Sequence, residues 1–171
     1  PAVESRAQAA RPSGDAGGLA PSRADTSNYL VADNDTVEVQ ADETLTHYAG
    51  WLEVNAEDLR KANGWPAKRA LVMGQRVKLV FAKVSRETFL SRRVAYHHDL
   101  QEDFFSRYRI TDTTEHLLRA GESVWVLAAQ KYKVPVWLLR QYNPKLDLAQ
   151  VRPGTRVVFP KVVRVADVAR P

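Results

Sequence analysis

Residues 115–160 read EHLLRAGESVWVLAAQKYKVPVWLLRQYNPKLDLAQVRPGTRVVFP, and the order of patterns in this stretch decides the fold. His116, Leu117 and Leu118 form a short strand pattern at its start, and Arg156, Val157, Val158 and Phe159 form another at its end. Two short helical patterns lie between them, joined by Lys133, Val134 and Pro135. In the first, Ser123 stands at the N-cap position, where a hydroxyl can accept from an amide of the first turn. Val124, Leu127, Ala128 and Lys131 then recur on one face at helical spacing. The second helix opens near Pro135, whose fixed φ suits a first helical turn, and carries Val136, Leu138, Leu139 and Tyr142. It ends at Asn143-Pro144, because a residue before proline is pushed out of the helical region. The expected unit is β-α-α-β.

Working outward, residues 36–81 repeat this order at an offset near eighty, and a fixed-period repeat must be read before any fold is assigned. Thr36, Val37, Glu38 and Val39 form the first strand, with Val37 and Val39 alternating inward. Ala41-Asp42-Glu43-Thr44-Leu45 aligns with Ala120-Gly121-Glu122-Ser123-Val124, Val54 answers Val134, and 74–79 answers 154–159. A second helix runs from Ala56 to Asn63, with Leu59 inward, and stops at Gly64. The copy is degenerate. Asp42 stands at the turn glycine, Met73 at the proline, and Gly64-Trp65 at Asn143-Pro144.

The segment 115–160 resembles the LysM module, a carbohydrate-binding repeat for glycans containing N-acetylglucosamine. Ala120-Gly121-Glu122-Ser123-Val124-Trp125 occupies the place of the family's turn before helix one. Ala128, Tyr132, Val134, Leu139, Asn143-Pro144 and Arg152-Pro153-Gly154-Thr155-Arg156 follow at the family's spacing. The resemblance implies a shallow groove between two turns, with Gly121, Glu122, Ser123 and Val124 facing Asn143, Pro144, Lys145, Leu146 and Asp147. Backbone groups there would bond an acetamide, and Leu146 or Val124 would touch its methyl. The degenerate copy implies a weaker second site at Asp42, Glu43, Thr44, Asn63, Gly64 and Trp65. Two engaged grooves would gain ~100-fold through effective concentration. The implied role is non-catalytic binding of peptidoglycan or another N-acetylglucosamine polymer, in the bacterial envelope and exported. The flanking pattern resembles tails of lytic murein transglycosylases, whose repeats hold a catalytic domain on its substrate.

The expected fold class is α+β: two βααβ units joined by a long amphipathic helix. Residues 82–114 carry that helix and a following strand. Ser85 can cap it, and Phe89, Val94, Tyr96, Leu100, Phe104 and Tyr108 lie near one stripe. Arg86, Glu87, Arg92, Arg93, Asp99, Glu102 and Asp103 form the opposite, solvated face. Such a helix must cover something, so it is expected to pack on one or both units. Residues 1–28, poor in large apolar side chains, read as a disordered linker, residues 115–162 as the second unit and 163–171 as a tail. The chain opens at Pro1 with no charged-then-apolar leader, as a mature fragment or a piece of something longer would.

Composition narrows the chemistry. Of 171 residues, 44% are hydrophobic and four are tryptophan, which excludes a wholly disordered chain. A net charge of +5 suits an acidic polymer, whether cell wall, nucleic acid or anionic membrane. Without cysteine there are neither disulfides nor thiolate metal sites. The longest apolar run, near 124–129, is far short of the ~20 residues a spanning helix needs. Catalysis finds Glu102, Asp103, Glu115 and Glu122 but no surrounding motif, and no cofactor is expected. His97, His98, Asp99 and Glu102 could chelate at a helical turn's spacing, yet a solvated pair is the expectation and no metal is assigned. Of the tryptophans, Trp51, Trp65, Trp125 and Trp137, Trp65 in a loop is the best stacking candidate. The rival reading is a helix-turn-helix over 123–143, with Lys131, Lys133, Arg140 and Lys145 on phosphates. Its second helix is apolar where base edges need Arg, Asn or Gln, so no nucleic-acid partner is assigned.

Overall fold

The computed structural model describes residues 26–168. The linker expected over 1–28 falls mostly outside that range, and of it only Thr26, Ser27 and Asn28, all exposed, are described. Thr26–Tyr29 make a 3-10 turn, and Tyr29 is buried. β1 (Thr36–Glu38) and β2 (Arg76–Lys78) pair antiparallel with Val37 opposite Val77. Between them lie α1 (Leu45–Leu52) and α2 (Ala56–Ala62). The long α3 (Arg86–Arg107) follows, capped by Ser85, whose hydroxyl accepts from the Thr88 amide. It runs into β3 (Tyr108–Leu117). A short α4 (Val124–Val126) passes directly into a π-helical segment, Leu127–Tyr132. α5 (Val136–Tyr142), β4 (Arg156–Arg164) and α6 (Val165–Val168) complete the order, so the expected tail at 163–171 begins inside a strand. β3 and β4 pair antiparallel over nearly their whole length, with an irregularity between Ile110 and Asp112. The result is a mixed α+β chain with two small antiparallel sheets.

Each β-α-α-β stretch closes with the same hydrogen bonds. Asn63 donates to the Lys78 carbonyl (2.9 Å) and accepts from the Lys78 amide (2.8 Å), while Asn143 does the same to Val158 (2.8 and 2.9 Å). Each asparagine also donates to a carbonyl of the helix before it, Leu59 or Leu139. The Glu43 carboxylate accepts the Gln40 amide, as that of Glu122 accepts the Arg119 amide. Asp42 (φ 66°) and Gly121 (φ 82°) share the left-handed turn position, which aspartate tolerates better than most residues.

The two β-α-α-β stretches differ by one residue midway. Glu43 and Glu122 are 79 positions apart, whereas Asn63 and Asn143 are 80 apart. The Val54 amide reaches back five residues to Ala49, but the Val134 amide reaches back six to Ala128. The π-helical segment absorbs the extra residue, the usual origin of such a bulge.

Two hydrophobic clusters result. Val37, Tyr48, Leu52, Leu59, Val77 and Phe89 centre the first; Val124, Leu138, Leu139, Val157 and Phe159 centre the second. α3 serves both, since Phe89 belongs to the first cluster while Phe104 and Phe105 pack on the second. Its buried row is Phe89, Arg93, His97 and Gln101, one residue every four. This corrects the expected solvated face, because Arg93 is fully buried. A guanidinium goes inside only if its donors are matched, and here an acid and two carbonyls wait for it.

Asn143→Ala is expected to cost roughly 2–3 kcal/mol, since it leaves the Val158 and Leu139 backbone groups unpaired. Urea denaturation measures this; a loss below ~0.5 kcal/mol would show that water replaces the amide.

Candidate functional site

The turn at 119–124 is built by Glu122. Its carboxylate accepts the Arg119 amide (2.9 Å) and a bond from His116 Nε2 (2.7 Å). A carboxylate can only accept, so Nε2 carries the proton, and in the neutral ring His116 Nδ1 accepts from the Tyr132 hydroxyl (2.9 Å). Tyr132 in turn stacks on buried Phe159, with ring centroids 4.0 Å apart. The His116 bond, and after it the Arg119 amide, hold the Glu122 carboxyl below the usual carboxylate range. Ser123 occupies the N-cap position but its side chain makes no capping bond, so the expected cap is absent and Glu122 secures the turn instead. Gly121 lies on the surface, and a Cβ built on it meets no heavy atom within 4 Å.

The expected site residues divide by exposure. Gly121, Ser123, Pro144, Lys145 and Asp147 are exposed, and Glu122 and Leu146 are half-buried. Val124 and Asn143 are not at the surface: Val124 lies in the second core, and both ends of the Asn143 amide are engaged by backbone. Val124 therefore does not offer the surface expected of it for an acetamide methyl.

In the first unit the equivalent turn is covered by α3. Arg93 forks onto Glu43, Nε to Oε1 at 2.6 Å and Nη2 to Oε2 at 2.8 Å. It also donates to the carbonyls of Tyr29 (2.9 Å) and Glu38 (2.7 Å) and, at 3.5 Å, to the Tyr48 hydroxyl. His97 Nε2 meets Glu43 Oε1 at 2.8 Å, its ring stacked on Tyr29, and the Tyr48 hydroxyl donates to Oε2. Burial alone would raise the Glu43 carboxyl, but the bonds from His97 and Arg93, with the Arg93 charge, hold it at about 2. Burial, then the Glu43 charge, pushes the Tyr48 hydroxyl well above its usual range. Tyr96 donates to the Asp42 carbonyl (2.7 Å), so the backbone acceptor and the acid of that turn both serve α3. Thr44 caps α1 in a reciprocal box with His47. Asn63 clamps β2, Gly64 is exposed, and Trp65 packs on the core with Arg69 over its ring at 5.2 Å. Trp65 is therefore a poorer stacking platform than its loop position promises.

Arg93, Tyr96, His97 and His116 were missed as site residues. The signal for His97 was its spacing from Arg93 at i and i+4 on one helix, beside a turn glutamate with no local cation. His98, Asp99 and Glu102 do converge, ligand atoms within 4.8 Å, on the exposed face of α3.

A cleft of about 350 Å³ lies between the two units. Asn143, Pro144, Leu146 and Asp147 line it; Gly121, Glu122, Ser123, Val124 and Lys145 do not.

Against known proteins, residues 116–160 match the LysM domain, and no curated protein matches the chain. Among solved structures, the chain is similar to the spore cortex-lytic enzyme SleL of Bacillus megaterium QM B1551, at 19% identity and a TM-score of 0.25. That alignment covers 74% of this chain and 22% of the enzyme, so the chain spans about a fifth of its length. The turn, the asparagine clamp and the pairing of His116 and Leu117 with Val157 and Arg156 fall within the residues that match the LysM domain, 116–160.

Proposed function

We propose that this chain is a non-catalytic wall-binding region that holds an attached domain on peptidoglycan. The observation that carries the reading is the LysM match over 116–160, with the Gly121 turn and the 144–147 loop exposed on one unit. Backbone groups of a glycine turn can approach an acetamide closely, and Leu146 offers a surface for its methyl. The first unit, on this reading, is a second LysM-like copy whose turn was given over to α3, so it braces the helix and adds little affinity. One groove then sets a modest binding strength, without the gain two engaged sites would bring. A general acid for glycan cleavage needs a raised pKa, whereas Glu43 and Glu122 are both held low. A bacterial envelope location after export, and a parent resembling a lytic transglycosylase, belong to the same proposal. Among the described residues, no helix is long and apolar enough to cross a membrane.

The test is co-sedimentation with purified sacculi, competed by N-acetylglucosamine oligomers, beside a gel shift on duplex DNA. Retention on sacculi that the oligomers reverse, with no DNA shift, is the expected result. A chain that stays in the supernatant and shifts DNA in a salt-sensitive way would overturn it in favour of the helix-turn-helix alternative.

A further inference from the structure

Neither Gly121 nor Asp42 lines the cleft between the units, yet it shares a wall with the 143–147 loop. Its volume of about 350 Å³ lies at the lower end of the ~300–1,000 Å³ typical of small-ligand sites. α5 supplies Trp137 and Arg140, and the first unit supplies Tyr29 and Gln40 from the other side. We propose that this cleft is a second saccharide subsite, which takes further sugars of the strand gripped by the LysM domain. The proposal rests on the glycan reading above.

The chemistry of the lining selects a neutral polyol. Arg140 is half-buried and donates once, from Nη1 to Gln40 Oε1 at 2.8 Å. It lines the cleft and forms no ion pair among the described residues. Asp147 lies on the same cleft with one oxygen accepting the Ala149 amide, and it does not pair with Arg140. Glu38 adds a second exposed acid at the rim. An anionic ligand would meet the two carboxylates and a cationic one the guanidinium. Sugar hydroxyls both donate and accept, so they use both. Trp137 supplies the apolar platform that the C–H face of a pyranose prefers. Its ring is braced by Phe104 and Phe105, edge-on at 5.4 and 5.8 Å. Because those phenylalanines come from α3, whose other end is clamped by Arg93 in the first unit, the helix sets the width of the cleft.

Calorimetric titration of the whole chain with N-acetylglucosamine oligomers, from trimer to octamer, tests this. Affinity is expected to climb ~10-fold with length, the increment a charge-assisted hydrogen bond supplies. Arg140→Met should remove that climb while leaving trimer affinity unchanged, and Arg140→Lys should keep part of it. Thermal melting checks that both variants fold as wild type does. Length dependence unchanged in Arg140→Met, or absent from the wild type while the trimer still binds, would overturn the cleft and leave the glycan reading standing. No binding of any oligomer by the wild type would overturn both.

Discussion

Replacing Arg93 by methionine is expected to lower the stability of the chain by roughly 3–5 kcal/mol, the cost of leaving one partner of a buried ion pair uncompensated. Both side chains of the pair are fully inaccessible, and the fork is bidentate. Without the guanidinium, Glu43 keeps the bonds of Tyr48, His97 and the Gln40 amide but loses its charge partner. The carbonyls of Tyr29 and Glu38 lose a donor as well. Urea denaturation at neutral pH reads this directly. A double variant, Arg93→Met with Glu43→Gln, should recover part of the loss, since a matched neutral pair avoids the stranded charge. A loss under ~1 kcal/mol in the single variant would mean that the acid takes up a proton or water at little cost.

The same pair dictates the acid limb of the stability curve. Glu43 titrates at about 2 in the fold against 4.5 for the ordinary side chain. Its folded value is the lower, so the unfolded chain binds the proton more readily between those values. The stabilisation is therefore complete above about pH 4.5 and lost as pH falls towards 2. Its size is about 3 kcal/mol at ~1.4 kcal/mol per unit. Arg93→Met should move that limb to higher pH, because burial then raises the carboxyl against the bonds of His97 and Tyr48 without those of Arg93. Denaturation midpoints between pH 2 and 6 in wild type and variant decide it, and superimposable curves would remove Glu43 from the account.

That pair also marks where sequence reasoning stopped. Alternation at Val37 and Val39, the halt at Asn143-Pro144 and the cap at Ser85 each act through a local preference, and each appears where expected. Arg93 acts through a partner fifty residues away. In the sequence it adjoins Arg92 and reads as solvated, and the apolar stripe of Val94, Tyr96 and Leu100 draws attention away from the buried row. Only the conjunction of a turn glutamate with Arg93 and His97 one helical turn apart held the clue. The π-helical segment was more legible than it seemed, since the offset of 79 before it and 80 after it requires one extra residue. At the candidate site, the left-handed turn was readable from Gly121 alone. The burial of Val124 was not, because an apolar residue beside a turn serves core or ligand equally well by type.

Gly121→Trp is expected to weaken glycan binding by ~100-fold or more, about 2.7 kcal/mol, while the fold survives. Gly121 has φ 82°, so any L-residue there is strained by ~1–2 kcal/mol. Yet the protein itself offers no obstruction, for a Cβ at that point meets nothing within 4 Å. An indole would project into the open space above the turn, where the proposed glycan reading brings an acetamide to the backbone. Gly121→Ala carries the same backbone strain with almost no bulk, so it separates the two effects. Both variants should lose similar stability in thermal melts, but only the tryptophan should lose retention on sacculi and heat of binding to oligomers. If the two variants bind alike, whether both intact or both lost, the turn acts through its backbone shape or not at all, and the ligand does not lie over Gly121.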